Sequence, residues 1–386
     1  MGKNIYLVID TKKWAFDTIA KSIKKNAPKD WVVNFLYADE YKSLNELIDH
    51  INGADLVHFF LRTYLFEQIK HLKDIDLEKI KFFLSSTLIT TGVHEQHLTY
   101  GEAETDISLN YLHDAYYVIN KNLYKIYSDL PYIKSPESII YDGIEIEKYK
   151  QKKEFNSEKI KIGWVGNSLH ASYLSVKYPG QINYKDSKGF NTYFMPAINR
   201  LREKGYNLEL CIADSAKKSK HIKEKGMVDF YKNIDIFVCS SKTDGTPLPI
   251  LEAMASGNII VSTAVGVVPE VVGKKQRKYI MLPPYTPNKF VKIFEELIKN
   301  KNEWPALSAE NQKQILIKDT NLCVKGYYTF FDKVISSRGK KKLIAPSFVK
   351  IIQTNFQNNL REKLFYFLKK WQISKFLFKF IRKIKK

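Results

Sequence analysis

Short apolar runs rich in β-branched and aromatic residues recur along the chain, and stretches with helical spacing lie between them. In the first part Asn4–Asp10 (NIYLVID), Val32–Tyr37 (VVNFLY), Ala54–Phe60 (ADLVHFF), Lys81–Leu84, Tyr116–Ile119 and Ile139–Tyr141 read as strands. In the second, Ile160–Val165 (IKIGWV), Asn207–Ile212, Asp235–Ser240, Asn258–Thr263 and Tyr279–Leu282 read the same way. Runs this short and continuous fit strands of a parallel sheet covered on both faces. Between and after them Trp14–Lys24, Leu44–Ile51, Tyr193–Lys204, Leu248–Ala255, Pro287–Lys299, Trp304–Ile317 and Gly326–Ile335 read as helices. The alternation predicts an α/β chain of two doubly wound domains, residues 1–150 and 151–335. The polar run Lys150–Lys159 is the expected linker.

One stretch carries the chemistry. After the strand Asp235–Ser240 comes a polar turn, Ser241–Gly245, and then Thr246 and Pro247, which read as N-cap and first residue of a helix over Leu248–Ala255. Gly257 ends that helix. A strand, a glycine turn and a helix start put free amides and a positive dipole end together, which favours a diphosphate. Asp244 lies before the helix and Glu252 within it, so two carboxylates frame the turn.

The segment DGTPLPILEAMASGNIIVSTAVGVVPEVV, residues 244–272, resembles the signature of retaining glycosyltransferases of the GT-B fold, family 4 (glycosyl transferases group 1), of the bacterial surface-polysaccharide type. The resemblance implies two Rossmann-like domains facing a cleft: an acceptor domain first, then a nucleotide-sugar domain whose final helices pack back on it. It also implies roles. The first acid, here Asp244, contacts the donor sugar and the second, Glu252, the ribose. Relatives carry glutamate at the first position, whereas Asp244 is one methylene shorter. Lys188-Gly189 matches the family's lysine-glycine step into a helix, so Lys188 is expected on the donor phosphates. Gly166-Asn167-Ser168 stands where relatives supply amides and an arginine; Gly166 and Asn167 join Gly245, Thr246 and Leu248 as phosphate-binding candidates. Asp142–Tyr149 is similar to the segment that closes the family's first domain.

Two further positions follow from the resemblance. His94, in the polar turn Gly92–His97, is expected on the donor sugar, with His97 second. Trp14, after the first strand, is an acceptor candidate that stacks on a sugar or packs under its helix. His58 lies inside an apolar strand and reads as a core residue. No metal site is expected: His94 and His97 supply only two ligands, and Asp74-Ile75-Asp76 has no supporting pattern. The expected cofactor list is empty, the nucleotide-sugar being a substrate.

Composition bears on location. Cys211, Cys239 and Cys323 are widely spaced and read as free thiols of a reducing compartment. Neither a signal peptide nor a run of about eighteen apolar residues is seen. The formal charge is +21, and residues 340–386 hold fourteen Lys and Arg against one acid, Glu362, a net +13. In that tail Leu360, Leu364, Phe367, Leu368 and Trp371 share one helical face, and Ile373, Phe376, Leu377, Phe380, Ile381 and Ile384 another. A break near Gln372–Ser374 gives two amphipathic helices with basic flanks, the pattern of a peripheral anchor to anionic lipid. No nucleic-acid motif accompanies the charge.

Together these features predict a metal-independent retaining glycosyltransferase. It moves a sugar from a nucleotide-diphosphate, with UDP the expected nucleotide, to a lipid-linked or polysaccharide acceptor at the cytoplasmic membrane face. A nucleotide-sugar epimerase or hydrolase, or a non-catalytic sugar-nucleotide-binding protein, are the alternatives.

Overall fold

The computed structural model describes residues 2–13, 15–70, 77–94, 108–131, 133–151, 153–155, 158–170 and 186–337. Trp14, Asp74–Asp76, His97 and the basic tail lie outside the described residues. The contacts divide the chain into two compact units. One holds Met1–Tyr117, Ile126–Ser138 and the chain from Tyr327 on; the other holds Val118–Lys125 and Ile139–Gly326.

The first sheet has the order β2-β1-β3-β4-β5-β6, from β1 (Lys3–Ile9), β2 (Trp31–Tyr37), β3 (Leu56–Phe59), β4 (Leu88–Val93), β5 (Ala115–Val118) and β6 (Ser138–Ile139). β1 runs parallel between β2 and β3, with Leu7 opposite Phe35 and His58. Lys81–Leu84, expected as the fourth strand, lies instead within the helix Leu77–Ser86, and β4 begins at Leu88. Ile80, Phe83 and Leu84 are buried at three- and four-residue spacing, so one helical face is covered. Four apolar residues in a row do not distinguish that face from a strand.

His58 is a core residue. It is fully buried in β3, its Nδ1 is 2.9 Å from Thr90 Oγ1 on the neighbouring strand, and its ring packs on Phe60 and Tyr117. Burial, with His94 nearby, lowers its pKa to about 3, so the imidazole is neutral.

The second sheet has the order β11-β10-β9-β7-β8, from β7 (Ile160–Gly166), β8 (Leu208–Asp214), β9 (Ile236–Cys239), β10 (Ile259–Thr263) and β11 (Ile280–Met281). Its strands are parallel. Alternate residues feed two apolar layers. Ile162, Trp164, Ile236, Val238, Ile259 and Val261 face the helices Met195–Glu203 and Pro287–Lys299, through Ile198, Leu201, Phe290 and Phe294. Phe237, Cys239 and Ile260 face the helix Leu248–Ala255, through Ile250, Leu251 and Met254. The chain leaves β7 toward β8 on one side and returns to β9 on the other. That reversal is where open α/β sheets bind ligands, beyond the carboxyl ends of their strands.

Candidate active site

Three turns meet at the carboxyl ends of β7 and β9. The first follows β7. Asn167 closes a tight turn by accepting the Leu169 amide on its side chain at 3.0 Å. The Ser168 amide and hydroxyl both donate to Asp214, at 3.0 and 2.6 Å. Asp214 is fully buried, which pushes its pKa up, but the two Ser168 bonds and the Ala216 amide outweigh burial and hold it below the usual range. A buried anion at the end of β8 thereby anchors the loop that leaves β7.

The second turn carries Lys188. The Asp186 carboxylate accepts the amides of Phe190, Asn191 and Thr192 at 2.9, 2.8 and 2.7 Å, starting the helical segment that follows. Ser240, just past β9, stitches this turn to the sheet. Its hydroxyl donates to the Lys188 carbonyl at 2.7 Å and accepts from Trp164 Nε1 at 3.2 Å. Gly189 is required here: its φ is +65°, and a Cβ would stand 2.0 Å from the Ser240 carbonyl oxygen.

The third turn, Ser241–Pro247, brings the acid to the base. Lys188 Nζ lies 2.8 Å from Asp244 Oδ2, and the Ser241 hydroxyl donates to the same oxygen at 3.3 Å. The pair is partly covered, with 30% of the lysine and 12% of the aspartate side chain exposed. The helix occupies Leu248–Ala255 as expected, but Pro247 rather than Thr246 is its cap residue, and Pro249 lies in its first turn. Pro247 therefore sits one position outside the helix, and no side chain caps it. The Ile250 amide bonds to the Pro247 carbonyl at 2.8 Å and Pro249 has no amide hydrogen, so the helix offers fewer donors than an ordinary first turn.

Glu252 lies inside this helix and is held from both sides. Tyr149 OH donates to Oε1 at 3.0 Å and Tyr231 OH to Oε2 at 2.7 Å. Burial pushes the Glu252 pKa up, and the two tyrosine hydroxyls oppose it. Burial and the adjacent carboxylate also raise both tyrosines, so each hydroxyl keeps its proton and donates it.

Residues 183–314 match the family model for glycosyl transferases group 1. Solved structures agree at the level of fold. Anabaena Alr3699/HepE in complex with UDP matches with a TM-score of 0.58 at 11% identity, covering 86% of this chain and 100% of that one. The sucrose-phosphate synthase (tll1590) from Thermosynechococcus elongatus matches with a TM-score of 0.56 at 11% identity, covering 87% and 100%. A glycosyltransferase from Rickettsia africae gives 0.55 at 11%, covering 86% and 99%. The chain has the GT-B fold, and residues 183–314 carry a glycosyl transferases group 1 domain. No curated protein sequence matches it.

In the other unit, His94 follows β4. Its Nε2 is 3.1 Å from Tyr117 OH, which in turn donates to Tyr327 OH at 3.1 Å, and its ring meets Phe16 edge-on at 4.9 Å. Gly92 makes room for this arrangement, since a Cβ there would lie 2.4 Å from the Tyr117 ring. The enzyme thus brings Lys188 and Asp244 into contact, while Glu252 sits among tyrosines deeper in the helix. Tyr149, Tyr231, Ser168 and Asp214 were not legible as site residues. Ser168 and Tyr149 lie in segments the sequence singles out, but all four act on partners elsewhere in the chain, 103 residues away for Tyr149 and 46 for Ser168, and nothing local signals those contacts. Among the described residues no cluster of three His, Cys, Asp or Glu side chains could hold a metal, and no helix is long and apolar enough to cross a membrane.

Proposed function

We propose that the enzyme transfers a sugar from a nucleotide-diphosphate donor with retention of configuration, without a metal, and that the Lys188 and Asp244 turns hold the reacting end of the donor. The observation that carries this reading is the 2.8 Å contact between Lys188 Nζ and Asp244 Oδ2 beside the start of the helix Leu248–Ala255. A cation and backbone amides there neutralise the charge that builds on a departing diphosphate. Asp244 accepts hydrogen bonds from the sugar's hydroxyls, and Lys188 exchanges its carboxylate partner for phosphate oxygen. Gly166, Asn167, Gly245, Thr246 and Leu248 are the backbone candidates around the same phosphates. Glu252 takes the ribose. Its oxygens each have a second lone pair beyond the tyrosine bond, and the tyrosines fix the plane in which that pair points. His94 and Trp14 are the candidates for the donor sugar and the acceptor. The leaving phosphate takes the acceptor's proton on the face it departs from, so no separate base is required.

UDP is the favoured nucleotide, supported by the Anabaena protein having been solved with UDP and with UDP-glucose. The acceptor is a lipid-linked or surface polysaccharide at the cytoplasmic membrane face, and the basic amphipathic tail, residues 340–386, is the anchor to anionic lipid. The test is a panel of UDP-, GDP-, ADP- and dTDP-sugars screened by thermal shift, followed by product analysis with membrane extract as acceptor. A UDP-sugar that raises the melting temperature and yields sugar joined to acceptor supports the reading. Free or epimerised sugar as sole product refutes transfer. A protein truncated after Arg338 should stop co-sedimenting with anionic vesicles; continued sedimentation refutes the anchor.

A further inference from the structure

The peptide joining Gly245 to Thr246 is gripped from one side. Its carbonyl oxygen accepts from the Val267 amide at 3.0 Å and from Asn120 Nδ2 at 3.2 Å. Asn120 is fully buried, and its other amide atom is also engaged: Oδ1 accepts the Leu123 amide at 2.8 Å, at the start of the helix Lys121–Ser128. Because Oδ1 must face that amide hydrogen, the NH2 group is left facing Gly245. The next residue strengthens the attachment. The Lys121 amide donates to Glu270 Oε1 at 2.8 Å, and Tyr141 OH holds Oε2 of the same carboxylate at 2.8 Å. Gly266 completes the fit with φ +49°, since a Cβ there would lie 2.0 Å from the Gly245 oxygen.

A trans peptide points its C=O and N–H in opposite directions. Pinning the Gly245 oxygen toward Asn120 and Val267 therefore turns the Thr246 N–H away from them. The Thr246 hydroxyl oxygen is buried and has no hydrogen-bond partner. An amide hydrogen of fixed direction and an unsatisfied hydroxyl on one residue suit an anionic oxygen.

We propose that Asn120 is a positioning residue for the donor diphosphate. It holds the Gly245–Thr246 peptide in the orientation that presents the Thr246 amide and hydroxyl to a phosphate oxygen. The inference rests on the donor reading above. Asn120 touches no ligand atom itself; it acts by removing the freedom of one peptide plane.

The variant Asn120→Ser keeps a helix cap but is too short to reach Gly245. The probes are the tightest-binding of UDP, GDP, ADP and dTDP, together with its phosphate-free nucleoside, titrated by ligand-observed NMR against the full chain. The expected result is a diphosphate Kd weakened roughly tenfold with the nucleoside Kd unchanged, about what loss of one hydrogen-bond position costs. Equal weakening of both ligands, or a lowered melting temperature with both affinities intact, overturns the inference and leaves the donor reading standing. If no diphosphate binds the wild-type chain, the donor reading falls and this inference with it. Should Asn120→Ser not fold, Asn120→Asp serves. It keeps shape and cap but replaces the donating NH2 with an acceptor, and it must show the same diphosphate-selective loss.

Discussion

Glu252 is a half-buried carboxylate that accepts from two tyrosine hydroxyls, and removing one of them exposes the balance between burial and hydrogen bonding. In Tyr231→Phe the 2.7 Å bond that this fully buried tyrosine donates to Oε2 is lost. A hydrogen bond to a charged group contributes about 1.5–3 kcal/mol, so roughly 2 kcal/mol of stability should disappear. For a folding unit of this size that corresponds to a fall in melting temperature of roughly 4–8 °C near neutral pH. The pH dependence carries the argument. Burial already holds the folded pKa of Glu252 above its ordinary value, and loss of a hydroxyl donor raises it further. As pH falls through that raised pKa, the folded state takes up a proton before the unfolded state does. Acid therefore relieves the cost of the buried charge, and relieves it sooner in the variant. The deficit between wild type and variant should be full above the variant's folded pKa and shrink as pH is lowered toward the unfolded value. Differential scanning fluorimetry of both proteins from neutral pH to about pH 5 measures it. A deficit of constant size over that range, or none, would show that Tyr231 does not stabilise a carboxylate.

Three further outcomes are expected. Lys188→Ala should weaken nucleoside-diphosphate affinity roughly tenfold to a hundredfold, the worth of a charge-assisted bond, with little change in melting temperature; isothermal titration checks this. Asp244→Asn should separate binding from turnover. The nucleotide Kd stays level or tightens as Lys188 loses its carboxylate, while kcat falls about a hundredfold because the sugar loses a charged acceptor. Gly266→Ala forces a Cβ against the Gly245 oxygen at positive φ, a strain of about 1–3 kcal/mol, and should lower both melting temperature and diphosphate affinity.

Much of this was legible because parallel strands covered on both faces are written as continuous apolar runs. IKIGWV, DIFVCS and NIIVST fall in β7, β9 and β10 within a residue or two at either end. The helix Pro287–Lys299 was placed to the residue, since Thr286 and Pro287 mark its start and its apolar stripe is strongly periodic. Helices with weaker punctuation were missed: Tyr64–Lys70, Lys121–Ser128 and Glu224–Lys232 have none of their starts marked by proline. Lys81–Leu84 was misread because four residues hold too little period. Lys188 and Asp244 stand out through short motifs, and the fold brings them into contact across 56 residues of sequence. What holds them was not found. Ser240, Asp214, Asn120 and the two tyrosines act through contacts made by tertiary folding, and such contacts leave no pattern in the residues' own sequence neighbourhoods.

The segment Val118–Lys125 belongs with the second unit although more than a dozen residues of the first unit, Ile126–Ser138, separate it from the rest. Anyone excising the second unit as one continuous fragment from Ile139 onward would discard Asn120 and the Lys121 amide. The Gly245 oxygen would keep only its bond from Val267, and Glu270 would keep only Tyr141. Such a fragment should fold around its apolar layers yet grip nucleotide poorly, whereas a graft that restores the short helical start in trans, or by circular permutation, should recover it.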